Sequence, residues 1–136
     1  MIYSTIETLL TTQVGTITGL PDWQRENERY TGKTSIPFIR TTMLPAEPQV
    51  MTAGANGITK YQGLFQIDCF IGQDKGKTEA LAMADLVLSS FKEGLKLTSG
   101  TVTVEVVTSS TQPAFQMSSY YGVPCVIRWH SYYTKA

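Results

Sequence analysis

Charge is scarce in this chain. Only 16% of its 136 residues are Asp, Glu, Lys or Arg, and eleven bases cancel eleven acids. The bases never form a run, which excludes the electrostatic footprint that nucleic acid or an anionic membrane surface requires. Histidine occurs once, at His130, and cysteine twice, at Cys69 and Cys125. Zinc sites draw on clustered His, Cys and carboxylates, so no metal centre is expected. Nucleophilic catalysis needs a base beside a Ser or Cys, and the one histidine falls on the outer side of a strand next to Arg128. The carboxylates that acid-base work would need are Glu26, Glu28, Asp68, Asp74 and Glu105. They are dispersed over turns and wet strand faces, where solvated charge is the expectation. No apolar run approaches about 18 residues, and MIYSTIETLL lacks a basic stretch before a long apolar core. Neither a membrane-spanning helix nor a signal peptide is therefore expected. Alternation sets both cysteines among apolar neighbours, so a pair of buried thiols is the first reading, a disulfide the second, and reduced, cytosolic folding follows from the first.

What is present is an ordinary globular composition, 42% hydrophobic. The length fits one domain, residues 1–136, able to bury about two thirds of the surface of its unfolded chain. The organising stretch is Gly63 to Phe91, GLFQIDCFIGQDKGKTEALAMADLVLSSF. Phe65, Ile67, Cys69 and Ile71 fall on one face of a strand at period two. Leu81, Ala84, Leu88 and Phe91 then recur at helical spacing. A strand and a helix with one oily side each, joined by a few residues, would bury those sides against one another.

The remaining elements read as layers on that unit. Residues 2–14 form a helix capped by Ser4, with Glu7 completing a capping box and Ile6, Leu9, Leu10 and Val14 on one face. Residues 20–35, LPDWQRENERYTGKTS, keep no period and read as a long loop. Trp23 there fits a side chain packed over a core edge. Residues 36–44 are a strand opened by Pro37 and ended by Pro45 and Pro48. Asn56-Gly57 marks a tight hairpin turn, so residues 46–60 read as a projecting β-arm or loop before the return strand 61–71. After a helix over 78–93, closed by Gly94, come strands 101–109 and 123–133. Val102, Val104 and Val106 line one face of the first. Val123, Cys125, Ile127 and Trp129 line one face of the second, opposite Arg128 and His130. The order α-β-β-α-β-β predicts an α+β fold, a four-stranded antiparallel or mixed sheet with two helices packed on one face.

Gly72 to Thr78, GQDKGKT, invites a phosphate-cradling reading because it follows a strand and opens a helix. That loop needs four residues between its glycines so that the backbone amides wrap a phosphate. Here three intervene, and Ile71 stands where the first glycine should be. A turn with Thr78 capping the helix and Lys77 solvated is the better account. No catalytic, cofactor-binding or metal residue is assigned.

The combination of Trp23 with Asn27-Glu28, Ile36-Pro37-Phe38-Ile39-Arg40 before a proline-ended strand, Gly63-Leu64-Phe65-Gln66-Ile67 leading to Gly72 and Gly76-Lys77, and an Ala/Leu helix ending Phe91-Lys92-Glu93-Gly94 resembles the tail terminator (tail completion) proteins of long-tailed bacteriophages. The resemblance spans about residues 20–97. It implies a non-enzymatic virion protein, folded in the host cytoplasm and working as a hexameric ring on the head-proximal end of the tail tube. Its partners would be further copies of itself, the tail tube protein and the head-tail connector, with DNA passing the lumen without specific contact. A head-tail connector or minor tail protein is the nearest alternative, and a small nucleotide-binding or hydrolytic enzyme a remoter one. On this reading Trp23, Asn27, Glu28, Tyr30 and Arg40 serve ring or neighbour contacts, and Asn56, Gly57 and Lys60 the tip of the arm. The residue-level alternatives are a capped turn for Asn27-Glu28 and a surface ion pair for Arg40.

Overall fold

The computed structural model describes residues 2–19, 22–24, 37–54, 56–72, 78–117 and 120–134. In chain order these form α1 (Ile2–Gly15), β1 (Asp22–Gln24), β2 (Phe38–Pro45), β3 (Gln49–Val50), β4 (Ile58–Gly72), α2 (Thr78–Ser90), β5 (Lys96–Ser99), β6 (Val102–Thr111), β7 (Phe115–Met117) and β8 (Tyr120–Thr134). The α+β class and the two helices are as the sequence implies, but among the described residues the sheet has eight strands rather than four and the order changes accordingly. β2, β4, β6 and β8 are the four expected strands. The extra four span two to four residues each, too few for a hydrophobic period to register. Among them is Asp22–Gln24, inside the stretch expected to be loop.

Across the sheet the strands run β1-β2-β4-β8-β6-β5, with β3 paired to β4 and β7 to β8. β1 lies parallel to β2 and every other pair is antiparallel, so the sheet is mixed. Its spine is the β4–β8 ribbon, 15 residues a strand, paired without a break from Ile58↔Thr134 to Gly72↔Tyr120. At about 3.4 Å per residue this ribbon is roughly 50 Å long, between two and three times the common strand length.

The core lies between the helices and one face of that sheet. Phe65, Ile67, Cys69 and Ile71 of β4, Val102, Val104 and Val106 of β6, and Val123, Cys125, Ile127 and Trp129 of β8 are all buried there, as alternation requires. From α1 come Ile6, Leu10 and Val14, spaced one turn apart. Ser4 lies inside the first turn of α1 instead of capping it, since the helix already runs from Ile2. From α2 come Ala80, Met83, Ala84 and Val87, while Leu81 is 40% exposed and Phe91 is buried just past the helix end. Of the expected stripe, Ala84 and Phe91 are fully buried, Leu88 packs against the core and Leu81 faces out, its place taken by Ala80.

Gly63 shows how tightly the spine is packed. A Cβ there would come within 2.6 Å of the Leu44 carbonyl oxygen and 3.0 Å of the Trp129 ring. The absent side chain is the space in which Trp129 lies fully buried against the β2–β4 rung. In β6 the register shifts between Val106 and Thr108, which turns Val107 outward to 38% exposure.

Candidate functional site

The face of the sheet away from the helices is built by the even-numbered residues of β2, β4 and β8. Sequence alternation marked it as wet throughout. At the Gly72 end it is dry. Phe38 and Phe70 stack with ring centroids 4.8 Å apart, Tyr120 meets Phe38 edge-on at 4.8 Å, and Phe115 meets Phe70 edge-on at 5.6 Å. Phe38 and Phe70 are both buried. Edge-to-face and offset contacts of this kind suit the quadrupoles of the rings.

Within this cluster sits a charged pair. Arg40 Nη2 and Nε donate to Asp68 Oδ2 at 3.0 and 3.3 Å, and Gln66 Nε2 donates to Asp68 Oδ1 at 2.8 Å. The Asp68 side chain is 1% exposed and that of Arg40 31%, with the Arg40 guanidinium 5.0 Å from the Phe70 ring centroid. This corrects the expectation of a solvated Asp68. Its desolvation is offset by three charge-assisted hydrogen bonds and the cation held over an aromatic face. On the opposite face, one residue along, the thiols of Cys69 and Cys125 are both buried and free. Their mutual hydrogen bond, then burial, pushes the Cys69 thiol far up, so it has no thiolate chemistry to offer.

The Ile58 end is built differently. On the outer face His130 Nε2 and Glu105 Oε1 are 2.9 Å apart, and that hydrogen bond, followed by the charges of His130 and Lys96, lowers the Glu105 carboxyl below its usual value. Tyr132 is 49% exposed with the Lys60 ammonium 5.9 Å from its ring centroid. On the helix side a cleft of about 310 Å³ is lined by Ile2, Thr5, Tyr61, Thr101, Val102 and Tyr133. Beside it Thr59 Oγ1, Ser131 Oγ and Trp129 Nε1 are buried without a hydrogen-bond partner. Nearby, Leu44, Val50 and Met51 are 42%, 61% and 49% exposed.

The sequence-assigned contact residues do not gather at one point. Trp23 lies on the helix side of the sheet edge, half-buried on the core, its Nε1 donating to Thr41 Oγ1 at 3.0 Å. Arg40 is on the opposite face, paired with Asp68. Asn27, Glu28 and Tyr30 lie outside the described residues, as do residues 73–77, where a turn is expected from the sequence. Asn56, Gly57 and Lys60 stand together where the chain returns from β3 to β4. There Gly57 does not form a two-residue hairpin turn. It is buried, a Cβ at this position would meet the Thr52 carbonyl oxygen and the Ala53 backbone, and Gly54 of the same loop has φ 106°. The arm is short: β3 folds back on β4 through Gln49↔Lys60 and Val50↔Thr59.

Sequence reasoning missed Asp68 as a buried group, although Phe38 and Phe70 at even positions signalled a dry outer face. It also missed Thr59, Ser131, Val50 and Met51, for which no short motif exists. Among the described residues no group of three or more His, Cys, Asp or Glu could hold a metal ion, and no helix is long and apolar enough to cross a membrane.

Comparison with known proteins adds the decisive observation. A family described as Phage tail terminator protein matches residues 5–129, in keeping with the resemblance read from the sequence. No curated protein matches significantly. A solved structure 21% identical superposes with a TM-score of 0.68, covering 99% of this chain and 94% of that one, a likeness that speaks for the fold.

Proposed function

The chain belongs to the phage tail terminator family and serves as a structural component in phage tail assembly, and on that premise we propose that it caps the head-proximal end of the tail tube. In this reading it works as a hexameric ring that ends polymerisation of the tube protein and offers its other side to the head-tail connector. The observation that carries the proposal is the family match over residues 5–129. The physical character of the chain supports it. A low-charge mixed sheet with short edge strands and exposed apolar side chains at one end is suited to burial between neighbours, where charge is depleted. Head-to-tail contact between unlike surfaces closes a ring when the rotation per subunit divides the circle. The contact residues proposed for this ring are Trp23, Asn27, Glu28, Tyr30 and Arg40, with Asn56, Gly57 and Lys60 at the tip beside β3.

The test is complementation. Particles produced without this protein should carry tails of irregular, overlong length that do not join heads, and supplying it should restore uniform tails joined to heads. Uniform, joined tails in its absence would overturn the proposal.

A further inference from the structure

The Ile58 end of the ribbon has the marks of an unfinished surface. Thr59, Ser131 and Trp129 occupy three alternate rungs of the β4–β8 ladder, through Thr59↔Tyr133, Tyr61↔Ser131 and Gly63↔Trp129, all on the helix side. They are 4%, 1% and 0% exposed, yet their hydroxyl oxygens and indole N–H have no partner. A buried polar group left unpaired costs about 1–3 kcal/mol, and native interiors hold few. Three on alternate rungs of one face call for hydrogen bonds that the described residues do not supply.

The rung partners of Thr59 and Ser131, Tyr133 and Tyr61, line the cleft between the start of α1 and the β5–β6 turn. Among the described residues its lining carries no charge. It therefore suits a neutral occupant that brings apolar side chains together with backbone or amide polar groups.

One segment of the same chain has that character and is exposed. Residues Gln49, Val50, Met51 and Thr52 are uncharged, and Val50 and Met51 are among the most exposed large apolar side chains of the molecule. Val50 pairs with Thr59, so it stands on the cleft's side of the sheet, yet it remains out in solvent. The tip cannot turn back into its own cleft. The amides of Met51 and Thr52 donate to the Ile58 carbonyl at 2.8 and 3.1 Å, and the Ile58 amide donates to Thr52 Oγ1 at 2.7 Å. Each copy thus presents a neutral apolar tip and a neutral, partly apolar recess that it cannot itself fill.

Building on the ring reading above, we propose that the cleft at the Ile58 end receives the β3 tip, residues 49–52, of a second copy of this chain. The contact joins unlike surfaces and leaves each copy one free tip and one free cleft, which is the arrangement that propagates around a ring. Val50 and Met51 lose their exposure against Tyr61 and Tyr133, whose rung partners Ser131 and Thr59 carry two of the unpaired hydroxyls.

The experiment uses two substitutions at exposed positions, Val50→Asp on the tip and Thr101→Trp at the mouth of the cleft, with sedimentation velocity over a concentration series. Wild type should form species larger than monomer. Each variant alone should lose them and sediment as monomer, with an unchanged far-ultraviolet circular dichroism spectrum. An equimolar mixture should form a dimer and stop there, because Val50→Asp keeps a working cleft and Thr101→Trp a working tip. If both variants assemble as wild type does, the tip-in-cleft contact is wrong while the ring reading stands. A mixture that stays monomeric overturns the contact as well. Wild type that remains monomeric at every concentration overturns both.

Discussion

The two ends of the β4–β8 ribbon share one ladder and differ in everything hung on it. At the Gly72 end both faces of the sheet are filled: the core residues on one side, and Phe38, Phe70, Phe115 and Tyr120 around the Arg40–Asp68 pair on the other. Polar atoms there find partners. At the Ile58 end apolar side chains stand in solvent while hydroxyls are buried unpaired. The difference teaches that one pair of strands can carry two kinds of surface. One end is packed on both faces, and the other leaves the apolar surface that the proposed contact between copies would cover.

Substitutions can break that comparison. The largest effect belongs to Phe70→Ala, which removes a fully buried ring from the aromatic cluster and should cost about 4 kcal/mol in urea unfolding. Asp68→Ala comes next, at about 3 kcal/mol, since it strips Arg40 and Gln66 of their shared acceptor; the partial exposure of Arg40 keeps the value at the low end for buried pairs. Adding Arg40→Leu to Asp68→Ala should recover part of the loss. At the other end Thr59→Val and Ser131→Ala delete unpaired hydroxyls, so monomer stability should hold or rise by about 1 kcal/mol. Were those two variants as destabilised as Phe70→Ala, the contrast between the ends would collapse.

The smallest effect is pH-dependent. Because folding lowers the Glu105 carboxyl from its ordinary 4.5, the pair with His130 stabilises the fold above that pH. That contribution disappears as pH falls through the lowered folded value. Melting temperatures of wild type and Glu105→Gln should therefore differ slightly at neutral pH and converge in acid. A gap that widens on acidification would reverse the assignment.

The helix-side core was legible because its period was clean: odd positions of β4 and β8 and even positions of β6 carry the apolar residues that the structure buries. The dry patch on the outer face was not, because an isolated Asp68 or Arg40 reads as solvent-facing unless its cross-strand neighbours are known, and Phe38↔Phe70 and Arg40↔Asp68 become adjacent only through the sheet register. The short strands escaped notice because pairing geometry, not pattern, defines them. The cleft and its unpaired hydroxyls left no trace in the sequence, since Thr59 and Ser131 lie more than seventy positions apart and meet only when the ladder closes. The face of α2 was read correctly at Ala84 and Phe91 but not at Leu81, as only the sheet decides which side of the helix is inside.

That ladder also dictates a schedule. Its shortest chain closure is Gly72 with Tyr120, and each further rung toward Ile58 and Thr134 joins residues more distant in sequence. Closing the nearer pair first costs less chain entropy, so the expected order is that the ribbon zips from the aromatic end and completes the cleft last. Amide protons should accordingly show protection that declines from Phe70 toward Thr59, and uniform protection along β4 would refute the order. A nascent subunit would then acquire its docking groove only after the remainder had folded, which would withhold incomplete copies from assembly without any separate proofreading component.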